Sequence, residues 1–142
     1  MTVNERGTMI GLGVGLVAFI GYWVVVIYRS VNDAVPFTEV AWQGPMLLAI
    51  ALGGGLYAAT LGVLYWLTRG ERRHDERDDE IQRHAETAGA GLASMGALIA
   101  LILLALDVDS FWPAHVLFVL GYLGSLINAS VTIAGYREGV QS

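Results

Sequence analysis

The chain places 55% of its 142 residues in the hydrophobic set and only 15% among Asp, Glu, Lys and Arg, with a formal net charge of −5. Soluble domains carry about 25% charge, so an ordinary water-soluble fold is excluded, and the absence of cysteine removes disulfide exchange, thiolate metal sites and cysteine nucleophiles. All eight basic residues are arginines at the edges of apolar stretches, with no basic stripe interleaved with aromatics, so no nucleic-acid partner is expected.

Four stretches without a charged residue, Gly7–Tyr28, Val40–Thr68, Thr87–Leu106 and Ser110–Tyr136, are each 20 to 29 residues long. A helix needs about 20 apolar residues to cross a hydrocarbon core, whereas the strands of an outer-membrane barrel are about 10 residues long with alternating polarity. The expected fold is therefore all-α: a polytopic membrane protein, one domain of residues 1–142, built as a bundle of four transmembrane helices.

Span one covers about residues 8–28. Its apolar run exceeds the 7–15 residues of a signal-peptide core and no A-x-A cleavage site follows, so it is read as retained. Gly7, Gly11 and Gly15 recur every fourth residue on it. Lipid tails give no hydrophobic drive for helix association, so small residues serve by letting backbones approach. The ridge is expected to pack, either inside one bundle or as the seam of a homodimer or higher homo-oligomer.

Span two covers about residues 45–68, with Pro45 tolerated in the first turn, where a missing N–H costs nothing. Gly53-Gly54-Gly55 lies at its middle. Such a run can break a helix and expose carbonyls to a substrate, or offer a flat packing face. No charged residue accompanies it, which favours packing.

The following loop, residues 69–87, is the most informative part of the chain. From Glu71 to Glu86 it holds seven acids, four arginines and two histidines, with no proline and no glycine. Opposite charges at i, i+4, such as Arg72–Glu76 and Asp79–Arg83, support a helix. The loop is expected to run into span three, about residues 88–106, as its cytoplasmic helical extension. Glu76, Glu80 and His84 line one row of that helix with metal-ligand chemistry, but a single helix supplies no enclosing shell, so a solvated charged face is the preferred reading. Ala85, Gly89, Ala93 and Ala97 form a second small ridge into the span.

Span four covers about residues 111–136. Asp109 or Ser110 is available as its N-cap, and Pro113 stands in its first turn. Gly121, Ser125 and Ala129 form its small ridge. The acids outside the spans on this side, Asp33, Glu39, Asp107 and Asp109, are read as caps and solvated charges rather than as a cation site. Aromatics gather at both expected interfaces, with Tyr28, Phe37, Trp42, Phe111 and Trp112 on one side and Tyr65, Trp66 and Tyr136 on the other. With four spans, seven arginines share a face and only Arg29 lies opposite, which predicts an inner-membrane protein with both termini cytoplasmic. Each pair of spans has a Gly-rich first helix, an acidic–aromatic–Pro connection and an Arg-terminated second helix. A two-helix duplication and the shared demands of a membrane hairpin both account for that.

No span interior contains an acid, lysine or arginine, and His115 near the end of span four is the one ionisable group of physiological pKa. An embedded charge is the usual mark of an ion pathway, and small four-span multidrug exporters rely on a glutamate in span one that this chain lacks. A bis-histidine haem fails because His115 has no axial mate. No metal and no cofactor are expected.

Asp75-Glu76-Arg77-Asp78-Asp79-Glu80-Ile81, leading through Arg83 and Ala85 into span three, resembles the Asp-Glu-Arg-Asp-x-x-Ile signature of a family of small four-span prokaryotic membrane proteins. In that family the motif also precedes the third span, the activity is uncharacterised, and neighbouring genes often encode small helix-turn-helix regulators. The resemblance implies a role in signalling or stress response and carries over no catalytic residue.

Three functions compete. The first is a membrane-anchored interaction or signalling module, not an enzyme, in which Asp75, Glu76, Arg77, Asp78 and Asp79 meet a cytoplasmic protein partner and Ile81 supplies an apolar anchor. The second is a small oligomeric transporter or channel. The third is a lipid-modifying enzyme using Asp and His at the inner interface. Membrane lipids are partners in all three.

Overall fold

The structure, a computed structural model, describes residues 3–67 and 76–138. Among the described residues all regular structure is helical, with no strand: α1 (Val3–Asp33), a 3-10 turn (Phe37–Glu39), α2 (Gln43–Leu67), α3 (Glu76–Ala105) and α4 (Phe111–Glu138). Among the described residues three apolar segments are long enough to cross a membrane: Gly7–Asp33 of α1, Arg83–Ala105 of α3 and Phe111–Gly135 of α4. The helices group into two compact units, Met1–Glu71 with α1 and α2, and Arg72–Ser142 with α3 and α4.

In the first unit α1 and α2 run antiparallel. Gly11 faces Tyr57, and a Cβ built on Gly53 would lie 3.5 Å from the Ala18 Cβ. The run Gly53-Gly54-Gly55 stays helical, so no carbonyls are released at mid-helix. Tyr22, Val26, Val40, Trp42, Met46 and Ala49 are buried toward the connected end of the unit. The connecting segment is fastened by Arg29, whose Nη1 donates to the Ala41 carbonyl at 2.7 Å.

The first helix of each unit ends in the same way. Ala34 (φ 53°) and Asp107 (φ 54°) take the left-handed conformation. The next N–H reaches back five residues, Val35 to the Ser30 carbonyl at 3.2 Å and Val108 to the Leu103 carbonyl at 3.1 Å. This Schellman closure satisfies carbonyls that a helix end otherwise orphans, and it usually employs glycine. The left-handed form costs a residue with a Cβ roughly 1–2 kcal/mol, and Asn or Asp bears it better than Ala. Ala34→Gly is therefore expected to raise stability by about 1 kcal/mol, with a smaller gain for Asp107→Gly. Thermal unfolding in one detergent checks both, and a lower melting temperature for Ala34→Gly would refute the assignment.

The N-terminus of α4 settles which of two residues caps it. Asp109 Oδ1 accepts the Phe111 N–H at 2.8 Å, and the Asp109 carbonyl accepts the Trp112 N–H at 3.0 Å. Pro113 then falls in the first turn.

In the second unit α3 packs antiparallel on α4 through small residues. Ala85, Gly89, Gly96 and Ala100 are buried on α3. A Cβ on Gly89 would lie 2.6 Å from the Gly124 carbonyl oxygen, and one on Gly124 would lie 2.6 Å from the Gly89 carbonyl oxygen. The two backbones thus touch directly, an approach open only to glycine, and weak Cα–H···O contacts favour it. Two helical turns nearer the connection, a Cβ on Gly96 would meet the Leu120 Cβ at 2.9 Å. Ala93, expected on this ridge, is exposed instead. A strict every-fourth-residue row advances 400° per step and so rotates off its starting face by about 40° each time. The Ala93 backbone stays beside α4, its N 3.7 Å from where a Cβ on Gly124 would lie, and the next close contact of the seam is at Gly96.

Candidate functional site

The charged stretch before the apolar segment of α3 is the densest concentration of chemistry-bearing residues in the sequence. Helix α3 begins at Glu76, whereas its apolar segment begins at Arg83. The backbone of Glu76–Gln82 is therefore continuous helix with the segment that follows. Asp75 lies outside the described residues, as do Arg72 and His74; for Glu76, Arg77, Asp78 and Asp79 the helical backbone is described. Arg83, His84 and Glu86 are exposed.

Ile81 does not stand apart from the protein. Its side chain lies over Gly135 of α4: a Cβ on that glycine would meet Ile81 Cγ2 at 2.8 Å and Cγ1 at 3.2 Å. Four residues on, Ala85 is 1% exposed, and four further is Gly89. Among the described residues Ile81 is thus the first of the α3–α4 seam, because the absent side chain at Gly135 leaves a pocket its branched side chain fills. Helical geometry sorts the motif accordingly. The Arg77 and Asp78 positions share the Ile81 side, while those of Glu76, Asp79, Arg83 and Glu86 fall on the opposite side.

The small residues proposed for packing divide. Gly7 is buried and Gly15 half-buried. A Cβ on Gly11 would fall onto Cε2 and Cδ2 of the Tyr57 ring. The Gly11 notch is occupied within its own unit. Gly89 is the tightest point of the second unit, and Gly121 faces open space. Gly124, Gly135 and Tyr57 were not apparent from the sequence. A sequence cue existed for the first: Gly89 and Gly124 lie at comparable distances on either side of the connection between α3 and α4, where an antiparallel pair must meet.

Polar groups deeper in the helices are turned back on their own backbones. Thr60 Oγ1 donates to the Leu56 carbonyl at 2.8 Å, Ser125 Oγ to Gly121 at 3.1 Å, Ser130 Oγ to Leu126 at 2.7 Å and Thr132 Oγ1 to Asn128 at 2.9 Å. His115 is buried, its ring stacked on Phe111 with centroids 3.7 Å apart. Its Nδ1 lies 2.6 Å from the Phe111 carbonyl. A carbonyl only accepts, so Nδ1 carries the proton in this contact. Among the described residues no three of His, Asp and Glu gather in a metal-binding group.

The aromatics separate into two classes that composition cannot distinguish. Tyr28, Phe37, Trp112 and Trp66 are exposed, the last at 71%. Trp42 and Phe111, also expected in the interfacial belt, are buried, at 8% and 3%. Trp42 stands at the end of the folded-back connection and Phe111 opens a helix on which His115 stacks, so both rings turn inward. The side chains of Tyr65 and Tyr136 lie outside the described residues. No known protein family, curated protein or solved structure matches the chain.

Proposed function

We propose that this chain is a four-span protein of the inner membrane that presents the start of α3 on the cytoplasmic side as a rigid, charged docking element for a protein partner. The observation that carries the reading is the seating of Ile81 on Gly135, with Ala85 buried behind it. That contact lies two residues before the apolar segment opens at Arg83. It holds the Ile81 turn of α3 against α4. On the opposite side of the helix Arg83 and Glu86 are exposed, and helical geometry puts the Glu76 and Asp79 positions on that same side. Exposed ion pairs add little stability, so internal stabilisation does not account for such a density of charge, whereas partner recognition uses charge pattern to set encounter and register. The resemblance to the four-span family, with its Asp-Glu-Arg-Asp-x-x-Ile motif, points to the same stretch.

The fourth span of this reading is α2, whose 25 residues include no charged side chain. Exposed Tyr28, Phe37, Trp112 and Trp66 suit the two lipid interfaces. The arginine asymmetry gives the orientation, so reporter fusions in residues 69–83 and at Ser142 should read cytoplasmic, and a fusion at Asp33 should not. A cytoplasmic reading at Asp33 would overturn the topology. The protein acts on this reading without catalysis, metal or cofactor, and the notch at Gly11 serves the α1–α2 contact rather than a dimer seam. A transport path is not favoured, since the hydroxyls of Thr60, Ser125, Ser130 and Thr132 are engaged by their own helices.

The test separates docking from packing. Glu76→Arg, Asp79→Arg and Glu86→Arg together reverse the outward side, and added arginines reinforce cytoplasmic retention. Capture of co-purifying protein from native membranes should fall at least tenfold while the melting temperature holds. Ile81→Ser should do the reverse, lowering the melting temperature with capture retained at a temperature where the variant is folded. If the triple reversal keeps every co-purifying protein, the docking reading is wrong.

A further inference from the structure

We draw no further inference here: the strongest candidate, the strip of open Gly121 and exposed Ser125 along one side of α4, is an unpartnered helix face for which nothing in the structure shows what covers it.

Discussion

Gly89→Ala is expected to destabilise the protein by about 1–3 kcal/mol, the cost of forcing extra volume into a packed contact, although it adds a single methyl group. The new Cβ would lie 2.6 Å from the Gly124 carbonyl oxygen and 3.0 Å from the Asn128 Cβ. The first of these is backbone and has no rotamer by which to give way. The helices must separate, and separation costs dispersion contacts along the whole seam, which in lipid has no hydrophobic term to replace them. Gly124→Ala should cost a similar amount through the reciprocal contact. The double variant should cost less than the two combined, because one displacement accommodates both methyls. Gly91→Ala provides the contrast: its Cβ meets nothing within 4 Å, so helix propensity alone acts and favours Ala by up to about 1 kcal/mol. Thermal unfolding of the four variants in one detergent decides. Equal melting of Gly89→Ala and Gly91→Ala would mean that the backbones do not touch.

Gly11→Leu is the second large effect, and here the neighbour is a side chain. The Tyr57 ring occupies the notch that Gly11 leaves, and Tyr57 itself is 38% exposed. An Ala at position 11 displaces a ring that has room to swing, so its cost should be small. A Leu fills the notch and expels the ring, for an expected loss of about 1–3 kcal/mol. Adding Tyr57→Ala vacates the same volume and should restore part of that loss, giving a coupling in the range of about 0.5–3 kcal/mol found for residues in contact. Light scattering in detergent should give the same particle mass for both variants and the parent. A mass that changes with Gly11→Leu, with no rescue by Tyr57→Ala, would instead place Gly11 between copies.

Much of this architecture is readable from the chain because membrane helices announce themselves by length and absence of charge. The apolar segments of α1, α3 and α4, the Asp109 cap and the Pro113 first turn all follow from local rules. Partner identity across a seam does not. The ridge Ala85–Gly89–Ala93 is a plausible packing row on paper, yet helical rotation turns the Ala93 side chain outward and leaves the next close contact to Gly96. Tyr57 is invisible as the mate of Gly11 because its role depends on the register of α2 against α1, which no local rule sets. Trp42 and Phe111 look like interfacial aromatics for the same reason that Tyr28 and Trp112 do. Only the path of the connecting segments separates a ring turned inward from one left in lipid. Ile81 shows the limit most plainly. A lone apolar residue in a charged run reads as an anchor for something external until Gly135, more than fifty residues later, is found beneath it.

The five residues between α3 and α4, Leu106–Ser110, bear on how the protein is made. Closing a loop of about ten residues takes on the order of 10–100 ns in solution, while a ribosome adds about 5–20 residues per second. Once both helices are in lipid, even an encounter slowed a thousandfold is short beside the time taken to make the chain. Closure from the connected end engages Ala100 and Gly96 before Gly89, and Gly89 before Ile81. The charged start of α3 leaves the ribosome ahead of the rest of its unit but is the last part to be seated. It acquires its fixed orientation only when Gly135 has been synthesised.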